Sequence, residues 1–258
     1  MNNKVLECYA CCEPATSKEH VPPLCLFPEI KDIDFANFRK HLITVPSCEL
    51  HNSKKSKDDE FLMITLASIF GINGIGILHL ATKVSRAIKR KGLENFHEIL
   101  NKTTDQKPID ENETLPEINI GYPDHVRFVN CFRHIAYGLY YHKFKETFDG
   151  EVIILIDFIK YHDNNFNKWK TVCRDQFELE LKNIPIEGSN PEVFNYVFTT
   201  PDNFGLVSVK MTFYVGAIIF AIFKARGITL PKNVSWELIN AGVKTVIKNE
   251  DGTSFEFN

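Results

Sequence analysis

Apolar and polar positions alternate most plainly in the last third of the chain. Val207, Val209, Met211 and Phe213 are interleaved with Ser208, Lys210 and Thr212, the period-two pattern of a strand with one buried face. Pro201-Asp-Asn-Phe-Gly205 separates this run from Phe194–Phe198, which predicts a hairpin. Ala217–Phe223 is a short apolar run, readable as a covered strand or a buried helix. Upstream the period changes. Val126, Val129, Phe132, Ile135, Ala136 and Leu139 recur at steps of three and four, predicting an amphipathic helix over Asp124–Lys145. A second helix is expected through Trp169, Val172, Cys173 and Phe177.

Phe61–Thr82 contains no Asp, Glu, Lys or Arg, so it is long and apolar enough to be weighed as a membrane span. Thr65, Ser68, Asn73 and His79 argue against that, and Gly71, Gly74 and Gly76 interrupt any continuous helix. A buried helix, a Gly-rich break and a second helix are expected, and no membrane partner. Leu80–Asn101 is again helical, with Lys83, Arg86 and Arg90 on one face and Lys89 and Lys91 close by. Residues 103–123, rich in Pro, Asp, Glu and Asn, read as a linker.

The first sixty residues have a different character, dense in Cys, His and Pro. Glu19–Leu24 and His41–Val45 are the expected arms of a strand pair, Phe27–Lys40 is the excursion between them, and Asn52–Glu60 is the start of a helix. The expected organisation is a strand–strand–helix module (1–62), a helical connector with a basic face (63–102), and an α+β body (103–258).

Charge and cysteine usage narrow the chemistry. A formal net charge of −3 gives no global attraction to nucleic acid, so any such contact needs a local basic surface. Seven cysteines are an odd number; Cys8, Cys11, Cys12 and Cys48 lie in the N-terminal segment while Cys25, Cys131 and Cys173 are isolated. That distribution favours a metal site in a reducing, cytoplasmic setting over a disulfide framework. Met1–Glu7 lacks the apolar core of a signal peptide.

Cys8-Tyr-Ala-Cys11 and Cys48-Glu-Leu-His51 are two half-sites with the spacing of a tetrahedral zinc site, Cys12 being an alternative to Cys11. Four protein ligands would close the shell, making such a zinc structural. Glu19, His20 and Asn52 form a second set. An imidazole titrates near neutrality and suits a general base, while carboxylate and carboxamide oxygens suit Mg2+ or Mn2+. The plainer alternative has His20 packed on Pro22 and Pro23, with Glu19 and Asn52 as surface and capping residues. His125, His134 and His142, spaced nine and eight residues apart, read as packing or surface groups.

The string Glu19-His20-Val-Pro-Pro, followed by Leu42-Ile-Thr-Val-Pro-Ser-Cys48-Glu-Leu-His51-Asn52 and by Lys57-Asp58-Asp59-Glu60, resembles the HNH endonuclease family, in particular members with a zinc knuckle around the hairpin. The resemblance covers roughly residues 5–62. It implies a ββα-metal fold that hydrolyses phosphodiesters of nucleic acid, DNA foremost, with one divalent ion, in settings such as bacterial anti-phage systems. On matching positions, His20 would be the base, Glu19 a metal ligand where the family more often has Asp, and Asn52 the last motif residue and second ligand. His41 is the nearest candidate for the middle residue, often Asn, and His51 replaces the usual fourth Cys. Asp58, Asp59 and Glu60 follow Asn52 closely enough for one carboxylate to point back toward the ion. Lys54, Lys55 and Lys57, with Lys83, Arg86 and Arg90, are the expected phosphate contacts. The body would supply substrate choice, a protein partner or dimerisation. The rival expectation is a non-catalytic zinc module that binds nucleic acid or protein.

Overall fold

The computed structural model describes residues 6–11, 13–91, 124–161, 163–201, 206–227, 239–248 and 252–258, with the backbone alone for Lys54, Lys91, Ile247, Lys248 and Phe257. The chain is mixed α+β. A two-stranded ribbon, β1 (Ser17–His20) against β2 (Thr44–Ser47), leads through a 3-10 turn (Ser53–Lys55) into α1 (Ser56–Ala67). α2 (Gly74–His79) continues through a π turn (Leu80–Val84) into α3 (Ser85–Lys91). The body follows as α4 (His125–Phe144), β3 (Gly150–Ile156), α5 (Asn164–Leu181), β4 (Glu187–Asn190), β5 (Phe194–Phe198), β6 (Val207–Phe213) and β7 (Ala217–Ala225). A separate hairpin joins β8 (Thr245–Lys248) and β9 (Ser254–Phe257).

The strand order in the main sheet is β3-β7-β6-β5-β4, and every neighbouring pair is antiparallel. Strand alternation sorts its side chains onto two faces. Ile154, Tyr196, Val209, Met211 and Phe223 join the main core with α1 and α4, whereas Leu155, Val197 and Phe220 pack with Phe177 and Leu181 of α5. Phe128 and Phe132 of α4 are fully buried, with ring centroids 4.7 Å apart. Cys8, Tyr9, Val45 and Cys48 belong to that same core, so α1 carries the chain from the ribbon into the body without a break in packing.

The alternating β6 pattern and the helix expected over Asp124–Lys145 are both present, and Ala217–Phe223 resolves as strand. The helix, Gly-containing break and second helix of 61–82 are also present, and among the described residues no helix is long and apolar enough to cross a membrane. The ribbon arms are displaced from expectation. β1 stops at His20 instead of reaching Leu24, because Pro22 and Pro23 carry no N–H to extend a ladder. β2 starts at Thr44 instead of His41, whose φ of 54° is left-handed and ends extended geometry. The register pairs Ser17 with Ser47, Glu19 with Val45 and His20 with Thr44. The segment expected as a linker and residues 92–101 of the helical connector lie outside the described residues.

Phe27–Lys40 is not a free excursion. Tyr214 Oη donates to Leu26 O at 2.6 Å, and the Arg39 guanidinium donates to Phe27 O at 3.1 and 3.0 Å. Arg86 grips both oxygens of Asp32 at 2.7 Å. At Gly138 in α4 a Cβ would lie 2.5 Å from Val21 Cγ2, so a hydrogen at this position lets the residue after β1 seat on the helix.

Candidate metal and acid–base sites

Cys8, Cys11, Cys48 and His51 converge, their ligand atoms all lying within 4.8 Å of one another. Cys11 Sγ is 3.8 Å from Cys48 Sγ, and His51 Nδ1 is 3.6, 3.4 and 3.3 Å from the sulfurs of Cys8, Cys11 and Cys48. A tetrahedron with Zn–S of about 2.3 Å and Zn–N of about 2.0 Å has S–S edges of about 3.8 Å and S–N edges of about 3.5 Å. The cluster therefore has the dimensions and the soft donors to hold a metal ion such as zinc. Burial pushes the Cys48 thiol up, but backbone N–H groups of His51 and Leu50 and the neighbouring Cys8 and Cys11 outweigh this and hold it below its usual value. Burial drives Cys11 the other way, to about 11. A cation among these sulfurs would favour the thiolate. The His134 ring, 5.5 Å from that of His51, and buried Tyr9 pack the site against α4. Cys12 lies outside the described residues.

The second set is more divided. Glu19 and Val21 face the interior, whereas Lys18 and His20 turn to the other side of the ribbon. Glu19 is 5% exposed. Its Oε1 lies 2.6 Å from Lys55 Nζ, which also contacts Asp59 Oδ1 at 2.8 Å. Burial raises the pKa of both carboxylates, and the shared ammonium offsets this only in part, because one positive charge faces two negative ones. Burial lowers that of Lys55, but Asp59 and Glu19 together reverse the sign and raise it. Asn52 crosses from the start of the helical segment to β1, its Nδ2 donating to Ser17 Oγ at 2.8 Å and to Lys18 O at 3.2 Å. Half-buried His20 is held below its usual pKa, first by burial and then by the charge of Arg39. An imidazole so placed is neutral at pH 7 and able to accept a proton.

His41 does not join this group. It lines a cleft of about 430 Å3 with His142, Lys145, Glu187 and Asn190, whose walls include none of Glu19, His20 or Asn52. Its backbone explains the displacement, since Ser189 Oγ holds His41 O at 3.1 Å and Asn190 Nδ2 holds Lys40 O at 3.1 Å.

The expected phosphate contacts also separate. Lys55 is an internal ion-pair partner with a side chain only 12% exposed, not a surface cation. Lys83 donates to Cys25 O at 3.2 Å and lies 3.7 Å from Glu29, and Arg86 is clamped on Asp32, so this face of the connector is turned in part onto the excursion. Lys57 and Arg90 are exposed, and nothing is described for the Lys54 side chain. Arg39 is a further cation, its guanidinium held on Phe27 O and near Glu29. It lies nineteen residues after His20 in the segment expected as a connection, and no motif marks it in the sequence.

In comparisons with protein-family models, with curated proteins and with solved structures, nothing matched the chain.

Proposed function

We propose that this chain is a nuclease of HNH type, hydrolysing phosphodiester bonds of nucleic acid with DNA as the first candidate substrate, on a ββα module braced by a structural zinc. The observation that supports it best is the convergence of Glu19 of β1 and Asp59 of α1 on a single cation position, with His20 next to Glu19 in sequence and a cluster able to hold a metal in the same N-terminal segment. Hard oxygen donors aimed at one point fit Mg2+ or Mn2+ in kind. Held by Glu19, Asp59 and the Asn52 carboxamide, such an ion would supply positive charge for the phosphoryl oxygens and the departing alkoxide. The chain's own residues perform the rest. His20 accepts a proton from water on an unprotonated ring nitrogen as the oxygen attacks phosphorus. The P–O bond opposite breaks, the departing alkoxide takes a proton from solvent, and a phosphomonoester and an alcohol are released. Burial, with the charge of Arg39 behind it, keeps the imidazole neutral beforehand, and exposed Lys57 and Arg90 offer charge to the polyanionic backbone.

The test is nicking of plasmid DNA and of RNA with Mg2+ or Mn2+ supplied. Activity should fall by about 10²-fold or more in His20→Ala, the usual scale for a lost general base, while zinc content stays at that of the wild type. Intact substrates under every metal condition would end this reading. One observation favours a second reading, a non-catalytic nucleic-acid- or protein-binding zinc module: the cation position between the carboxylates is filled by Lys55.

A further inference from the structure

Lys55 occupies the Glu19 carboxylate, which the resemblance makes a ligand of a divalent ion. We propose that its ammonium is a resident, exchangeable cation of the candidate active site, displaced when a divalent ion and a nucleic-acid phosphate arrive together. This rests on the nuclease reading and adds to it a coupling between metal and substrate.

Glu19 and Asp59 are forty residues apart in sequence, yet both touch one nitrogen, at 2.6 and 2.8 Å. The three side chains are 7%, 23% and 12% exposed for Glu19, Asp59 and Lys55, so water does little to screen them. Their formal charges sum to −1, which leaves the cluster under-neutralised with Lys55 in place. A divalent ion would balance both carboxylates, but it requires oxygens at about 2.0–2.2 Å. That is closer than the ammonium contacts and at the same point. Two cations cannot share that point, so one must leave.

Lys55 has the means to leave. It lies at the end of the 3-10 turn, next to exposed Ser56 and Lys57, and its four-carbon stem can carry the charge outward. Removed from two carboxylates, the ammonium needs another anion, and a phosphate of bound nucleic acid is the chemical partner available at that surface. Divalent-ion affinity should therefore be low in the protein alone and rise when nucleic acid binds, with the reciprocal gain for nucleic acid.

The experiment uses the zinc-loaded full chain in a His20→Ala background, so that nucleic acid is not consumed. Mn2+ binding is followed by the paramagnetic signal of the free ion. Adding Lys55→Met should tighten Mn2+ binding by roughly tenfold or more, within the usual range for coupled sites, and adding Glu19→Gln should abolish that gain. A short DNA duplex should tighten Mn2+ binding when Lys55 is present and leave the Lys55→Met protein unchanged. Mn2+ affinities equal with and without Lys55, including undetectable binding in both, overturn the proposal. Should Lys55→Met not fold, 15N-lysine spectra of the Lys55-containing protein decide. One exchange-protected ammonium signal should vanish on addition of Mg2+ and duplex; its persistence at saturation overturns the exchange. Tight Mn2+ binding by Lys55→Met together with no cleavage by any His20-containing protein would support the exchange and remove the nuclease reading. Cleavage with unaltered Mn2+ affinity would do the reverse.

Discussion

Two clusters within the first sixty residues are shaped for a cation, and they differ in where its charge would come from. Cys8, Cys11, Cys48 and His51 present sulfur and nitrogen at tetrahedral spacing, and their positive charge has to come from outside the chain. Glu19 and Asp59 present oxygen, and Lys55 of the same chain supplies the charge. Soft donors with closed geometry suit an ion that stays and shapes the ribbon. Hard donors sharing a flexible ammonium suit an ion that is exchanged. The difference lies in what fills the space between the ligands, not in how many ligands there are.

The strongest way to break this contrast is at the knuckle. Cys48→Ser should release the metal and forfeit much of a binding energy on the order of 10 kcal/mol, which in such a short segment is folding energy. Metal analysis and thermal melts check this, and retained stoichiometric zinc with an unchanged melt would remove the assignment. The next effect is at the carboxylates. Lys55→Met leaves Glu19 and Asp59 buried without their cation, at a cost of about 3–5 kcal/mol in urea unfolding without divalent ions; an unchanged midpoint would show that the pair is not buried in solution.

A third group sharpens the contrast because the fold denies it any charge. His79 is fully buried, donates Nε2–H to Cys25 O at 3.1 Å, and its Nδ1 finds no hydrogen-bond partner among the described residues. Burial, reinforced by Lys83, pushes its pKa down to about 4 from 6.5. The unfolded chain then binds the proton more readily than the folded one. The stability from this group is complete above pH 6.5 and is lost as pH falls toward 4, on the order of 3 kcal/mol in all. Because release of a metal from the Cys/His cluster would also destabilise in acid, the measurement is the difference in pH slope between wild type and His79→Gln, the wild type being steeper; parallel slopes would contradict the neutral burial. The smallest effect is expected at Gly138. Ala there would press on Val21 and cost about 1–3 kcal/mol by overpacking, shifting the strand that holds Glu19 while zinc content, tied to residues on both sides of that strand, stays unchanged.

Local repetition made much of the molecule legible. Cys8 and Cys11 are separated by two intervening residues across a tight turn, as are Cys48 and His51, so the pairing of the candidate ligands is written into short spacing that few folds disturb. The α4 stripe and the β6 alternation are equally local, because burial of one face imposes the period of the element itself. Strand ends were less legible. They depend on where Pro22 and left-handed His41 stop the ladder, and β3, with its unbroken apolar run, showed no alternation to read.

The sequence by itself determined the Cys8, Cys11, Cys48 and His51 grouping that could hold a metal, the strand–strand–helix order and the presence of Glu19, His20 and Asn52 in that order. Only the tertiary structure decided that Lys55 turns inward between Glu19 and Asp59 rather than outward with Lys57, and that His41 belongs to another cleft. The reason is physical. Spacing fixes which residues can share a turn or a face, but the direction of a long charged side chain follows from the charges and burial that distant segments bring to it.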